Sequence, residues 1–233
     1  MKILFLLVAL IFANAFFSQN TFSSKSILGH EIGAEFSTHA QVVDYFEELN
    51  RAFPLNSKLQ SYGTSNEGRT LQLMFIGSET IIDNLEQIRS NHLSSSVNEN
   101  IPIVWLSYNV HGNESSGTEA AMETALTLLR DKKEWLNDVL IIIDPCLNPD
   151  GRDRYVNFFK QYSTVSKSSN VRSIEHQEPW PGGRFNHYLF DLNRDWAWLT
   201  QVESQQRIKK YNQWMPHVHV DVHEQGINEN YYF

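Results

Sequence analysis

Ile101-Pro102-Ile103-Val104-Trp105-Leu106, then Val110-His111-Gly112-Asn113-Glu114-Ser115-Ser116-Gly117, then Thr118-Glu119-Ala120-Ala121-Met122-Glu123-Thr124-Ala125-Leu126-Thr127-Leu128-Leu129 read in succession as strand, turn and helix. The first segment is a short apolar run and the last repeats its apolar residues at helical spacing. Between them His111 and Glu114 stand three apart, and on one helical turn an imidazole and a carboxylate at that spacing face the same way. Both can then reach a single divalent ion. The pair falls at the carboxyl end of a strand, where open α/β sheets place their ligands.

Working outward, residues 38–53 read as a helix capped by Thr38, with Val42, Val43, Tyr45, Phe46 and Leu49 on one stripe and Pro54 just beyond. Residues 62–69 carry turn chemistry and residues 70–77 a strand. The polar interval 91–100 reads as a loop. Val139-Leu140-Ile141-Ile142-Ile143 is a continuous aliphatic run, as expected of a strand buried on both faces. Residues 163–183 are polar and aperiodic, a long surface loop near the site. The expected fold is therefore α/β, with a mixed, mostly parallel central sheet and helices on both faces.

A second cluster of metal-binding side chains lies in Pro216-His217-Val218-His219-Val220-Asp221-Val222-His223-Glu224-Gln225-Gly226. As a strand it alternates, with the valines on one face and His217, His219, Asp221 and His223 on the other. His217 and His219 read as packing histidines with satisfied hydrogen bonds. His223 falls at the strand's end before a turn, where it can meet His111 and Glu114. Two His and one Glu are a common ligand set for catalytic zinc, which leaves its fourth position to water.

Composition bounds the rest. Lys2, the apolar run 3–12 and Ala13-Asn14-Ala15 form a secretory signal, so residues 1–15 are expected to be removed and residues 16–233 to form one domain. No later stretch is long and apolar enough to span a bilayer. Cys146 is the sole cysteine, which suits a secreted or periplasmic bacterial protein better than a disulfide-stapled one. A net charge of −8 argues against a nucleic acid partner.

Four motifs, in order, resemble those of the zinc carboxypeptidase family, the metallopeptidases related to pancreatic carboxypeptidase A and the regulatory carboxypeptidases. They are His111-Gly112-Asn113-Glu114, Asn148-Pro149-Asp150-Gly151, Asp191-Leu192-Asn193-Arg194 and Asp221-Val222-His223. Ser65-Asn66-Glu67-Gly68-Arg69 is similar to a hairpin usually found upstream. The resemblance covers residues 38 to the end. It implies one zinc ion held by His111, Glu114 and His223, with Asp191 bonded to the far nitrogen of His111. Asn193 and Arg194 would bind the terminal carboxylate of a peptide with a free C-terminus. Arg184, with Arg172 as runner-up, would stabilise the oxyanion.

The family's general-base glutamate, its closing tyrosine and its side-chain pocket would lie past Phe233. Glu224 is not a candidate base, since strand neighbours face opposite ways. Ending in Asn230-Tyr231-Tyr232-Phe233, the chain reads as a catalytic domain incomplete at its C-terminus, inactive or aggregating if made alone. Two other functions compete: a module that binds peptide C-termini or cell-wall peptides without cutting them, and a metallo-β-lactamase-like hydrolase built on His217, His219, Asp221 and His223. The latter's signature places Asp directly before His, one residue out of step with this chain.

Overall fold

The structure, a computed structural model, describes residues 22–94 and 101–226. The signal read at 1–15 and the apolar end at 230–233 lie outside the described residues. Helix α1 (Ser24–Leu28) precedes α2 (His39–Ala52), which Thr38 caps in a capping box with Gln41. Strands β1 (Ser57–Thr64) and β2 (Thr70–Ile76) form a hairpin, and α3 (Glu79–Asp83) and α4 (Leu85–Leu93) follow. Then come β3 (Ile103–Tyr108), α5 (Ser115–Asp131), β4 (Leu140–Asp144), α6 (Pro149–Tyr162), α7 (Val202–Trp214) and β5 (Val218–Val222).

The sheet has the order β1-β2-β4-β3-β5. β1 runs antiparallel to β2 and β2 antiparallel to β4, whereas β3 is parallel to both β4 and β5. The parallel pairings are the ones that carry the site. Alternation splits each central strand between two cores. Met74, Ile76, Ile141 and Ile143 face α2 and α5, meeting Tyr45, Phe46, Leu49, Met122 and Leu129. Leu73, Phe75, Leu140 and Ile142 face the opposite layer, meeting Ile81 and Leu85 of α3 and α4 and Trp214 of α7. The expected α/β fold with helices on both faces holds, and all five residues of β4 are buried.

Several boundaries differ from the sequence reading. β3 starts and ends two residues later than the apolar run, because Pro102 contributes only its carbonyl, which accepts from the Leu140 amide outside the strand. Residues 91–93 continue α4 instead of opening a loop, their few apolar side chains giving no periodic signal. β1 is absent from the sequence reading, which assigns its last residues, 62–64, to the turn. It is mostly half-exposed and polar, and its register is broken between Ser61 and Gly63. Among the described residues no helix is long and apolar enough to cross a membrane.

His39, the first residue of α2, is buried, and burial lowers its pKa from 6.5 to about 4. Between those values the unfolded chain binds a proton that the native one does not, so stability is complete above pH 6.5 and is lost as pH falls toward 4. A shift of that size corresponds to about 3 kcal/mol. Thermal denaturation should therefore show Tm falling between pH 6.5 and 4, with a shallower fall in a His39→Leu protein. Superimposable pH profiles for the two would remove His39 from the acid response.

Candidate metal centre

The turn that follows β3 is shaped by Asn109. Its φ of 61° reverses the chain, a conformation that asparagine tolerates better than most residues. Its side-chain amide, fully buried, donates to the carbonyls of His111, Gly112 and Glu114. One side chain thus satisfies three backbone acceptors and holds both candidate ligands. The pair does not sit within a helix, as its spacing suggested. The Glu114 amide donates to the His111 carbonyl across a turn, and Glu114 is the N-cap residue of α5, which begins at Ser115.

Three segments meet here with almost no room between their backbones. A Cβ on Gly112 would overlap the Arg152 nitrogen and the Gly151 carbonyl carbon, and would lie 2.5 Å from the Gly183 oxygen. A Cβ on Gly151 would strike the same Gly183 oxygen and the Phe185 oxygen. Asn148 closes the junction from within: its Oδ1 caps α6 at the Gly151 amide, and its Nδ2 donates to the carbonyls of Val110 and Arg184. The Asn-Pro-Asp-Gly motif is thereby given a structural job. Asp150 extends it, accepting from Ser65 Oγ at 2.6 Å, from Arg69 and from the Glu67 amide, which fastens the hairpin turn to α6.

The side chains of His111, Glu114 and His223 place one donor atom each within 4.8 Å of one another. His111 Nδ1 lies 2.7 Å from Glu114 Oε1, and His223 Nδ1 lies 3.2 Å from Glu114 Oε2 and 3.3 Å from His111 Nδ1. The two Nδ1 atoms and the carboxylate converge on one point. His111 Nε2 faces Asp191 Oδ1 at 3.1 Å, and a carboxylate on the far nitrogen fixes the imidazole tautomer. On His223 the far nitrogen lies 3.5 Å from Asp221 Oδ2.

Burial opposes the charged form of Glu114, but its close contacts with His111, the Glu224 amide and His223 outweigh it and hold its carboxyl below the ordinary range. Burial likewise opposes ionised Asp191, and its contacts with His111 and the Arg184 guanidinium outweigh it. Both carboxylates are therefore ionised at neutral pH, as a cation site requires.

Asp191 also caps the short turn Leu192–Arg194, accepting from the Asn193 amide. Arg184 Nη2 donates to Asp191 Oδ2 at 3.0 Å, and its Nη1 lies 3.9 Å from Glu114 Oε1. Arg184 is thus at the centre, whereas Arg172 sits on an exposed turn with its amide bonded to Asn170. Arg194 is exposed, and among the described residues its guanidinium donates to the Asn193 carbonyl alone, at 3.4 Å. Asp195, its obvious partner, is occupied by Thr200 and Gln201.

His217 and His219 turn elsewhere. His217 Nδ1 accepts from the Ile103 amide, and His219 Nε2 faces Ser107 Oγ at 3.1 Å while its ring rests against Trp196 and Tyr211. His219 is a packing histidine, whereas His217 is exposed and rests its ring against His92. Sequence reasoning named Asn148 in a motif without giving it a role, and missed Asn109 and Glu178, whose carboxylate accepts from Asn113 Nδ2 and from the Gly183 amide and so pins the Arg184 loop. The role of Asn148 could have been found from its place before Pro149, which marks a helix N-cap. Nothing in the sequence marks Glu178.

The zinc carboxypeptidase family model matches residues 42–222. Carboxypeptidase D of Drosophila melanogaster is 28% identical over 166 residues, covering 69% of this chain and 10% of that protein. Carboxypeptidase E of Caenorhabditis elegans is 28% identical over 197 residues, covering 80% and 34%. The crystal structure of carboxypeptidase A from Helicoverpa armigera has the same fold, with a TM-score of 0.54 at 17% identity over 87% of this chain and 52% of that one. A metallo-carboxypeptidase from Burkholderia cenocepacia gives 0.54 at 16%, over 82% and 42%. The chain spans about half the length of the insect enzyme and less of the curated relatives.

Gly112→Ala tests the three-backbone contact. Since the added methyl meets main chain on two sides, the ligand turn must move. We expect a loss of stability of about 1–3 kcal/mol, the usual cost of overpacking, and weakened metal binding by titration. Metal affinity and a urea midpoint equal to those of the unsubstituted protein would show that the junction has slack.

Proposed function

The chain belongs to the zinc carboxypeptidase family, and on that premise we propose that the whole protein is a zinc metallocarboxypeptidase hydrolysing the C-terminal residue of peptides by metal-activated water. The observation that carries the proposal is the convergence of His111 Nδ1, the Glu114 carboxylate and His223 Nδ1. This donor set fits zinc: two neutral imidazoles and one carboxylate leave a coordination position for water. Bound there, zinc supplies a Lewis acid for the scissile carbonyl and an acidified water.

The protein's own groups do the rest. Asp191 keeps the His111 proton on Nε2, leaving Nδ1 free as a ligand. Arg184, reaching toward Glu114 from its bond to Asp191, is placed to donate to the oxygen that gains charge as the carbonyl is attacked. Asn193 and Arg194, on the turn that Asp191 caps, receive the substrate's terminal carboxylate. The available fork of Arg194 supports that role, since no described carboxylate pairs with it. Glu224 is not the general base, because its carboxylate is bonded to the amides of Ser116 and Gly117.

The proposed substrate is a peptide or protein with a free C-terminus, and residues 16–233 would be part of the catalytic domain. The leader read at 1–15 and the single, buried cysteine support export, to a bacterial periplasm or exterior. The competing lactamase-like centre is not favoured, since His217 and His219 are turned to Ile103 and Ser107. A module that binds without cutting is not favoured either, because the complete donor set and its supporting Asp191 converge here.

In the full-length protein, His223→Ala should abolish stoichiometric zinc by metal analysis. Arg194→Ala should retain zinc and raise KM about 10- to 100-fold for substrates with a free carboxylate, the usual worth of a charge-assisted hydrogen bond. Undiminished zinc in the His223 variant would end the ligand assignment. An unchanged KM in the Arg194 variant would end the exopeptidase reading.

A further inference from the structure

Helix α5 has an unusual start. Its N-cap residue is Glu114, yet no side chain of its own N-terminal segment caps it, and its first turn holds no acidic residue. A helix of 17 residues leaves its first amides without intrahelical acceptors and presents a partial positive charge there. The Glu114 carboxylate would ordinarily serve that end. Here it is turned away, toward His111 and His223.

The missing acceptor comes from the far side of the sequence. Glu224 Oε1 accepts from the Ser116 amide at 2.6 Å and the Gly117 amide at 3.3 Å. Its own amide donates to Glu114 Oε2 at 3.1 Å. The residue directly after His223 therefore grips both the helix that follows Glu114 and the Glu114 carboxylate itself. We infer that Glu224 is a positioning residue: it caps α5 in place of Glu114, leaving that carboxylate to the metal, and latches the end of β5 so that His223 completes the site.

The inference follows from chemistry on both sides of the contact. Were Glu114 to cap α5 itself, its oxygens would point at the Ser116 and Gly117 amides and the cluster would lose one of its three donors. Were nothing to cap α5, two amides would compete for the Glu114 carboxylate. A carboxylate just past the end of β5 removes the competition and at the same time ties two strand ends together. It acts through backbone amides, so a neutral acceptor of the same length can replace it.

The inference rests on the zinc reading above, and its test separates the two. In the full-length protein, chelator competition should show zinc held 10- to 100-fold more weakly in Glu224→Ala, the usual cost of losing an outer-shell partner, and within about threefold of the unsubstituted protein in Glu224→Gln. The visible spectrum of the cobalt-substituted Ala variant should shift, reporting altered ligand geometry. Hydrogen exchange at the Ser116 and Gly117 amides should speed up in Glu224→Ala with or without metal. Unchanged exchange there overturns the latch, whether or not zinc binds. Equal zinc affinity in the Ala variant, or a Gln variant as weak as Ala, overturns it as well.

Discussion

The centre depends on a contact that has no side chains in it. Gly112, Gly151 and Gly183 bring three backbones together so closely that a single methyl on Gly112 would meet main chain on both sides. Each backbone carries something the site needs. The first bears His111 and Glu114, the second is the start of α6, and the third leads into Arg184. Because a close-packed interior transmits displacement instead of absorbing it, the spacing of Arg184 from Glu114 is set by how near these chains can come.

A buried ion pair locks that junction from outside. Arg152, fully buried, follows Gly151 on α6 and spends its guanidinium on three targets: the Ser37 carbonyl, the Ser115 carbonyl and Glu119 at 2.7 Å. Glu119 in turn accepts from the Ser37 amide and hydroxyl. Such a pair adds little net stability against an apolar replacement, because both charges must leave water. Its effect is to specify geometry: the carbonyl directly after Glu114, the first turns of α5 and α6, and the entry to α2 can satisfy this one guanidinium only in a single arrangement.

These features explain why the sequence was legible in some places and opaque in others. Long periodic segments were readable because burial dictates them: α2 has its cap and apolar stripe, and β4 is aliphatic because both its faces are covered. The convergence of His111, Glu114 and His223 was readable because ligand chemistry restricts the residue types of a candidate metal site so tightly. The helical placement of His111 and Glu114 was misread. Spacing alone cannot tell a helical turn from a turn held by an asparagine two residues ahead of His111. The roles of Glu178, Glu119 and Glu224 were invisible for another reason. A surface glutamate and one that caps a distant helix look alike until the chain is folded.

The distance between the two halves of the centre rests finally on register. His111 follows β3 and His223 follows β5, and the strands are parallel neighbours with Ser107 opposite Asp221 and Tyr108 opposite Val222. A slip of one residue would turn His223 to the opposite face and leave a valine at the cluster. His217 and His219 guard against that slip. His217 accepts from the Ile103 amide at one end of the pairing, and His219 reaches Ser107 further along, both bonds lost if β5 moves by one position. The three histidines in and beside β5 thus divide their labour by place, His217 before it and His219 within it fixing the register on which His223, just past its end, relies.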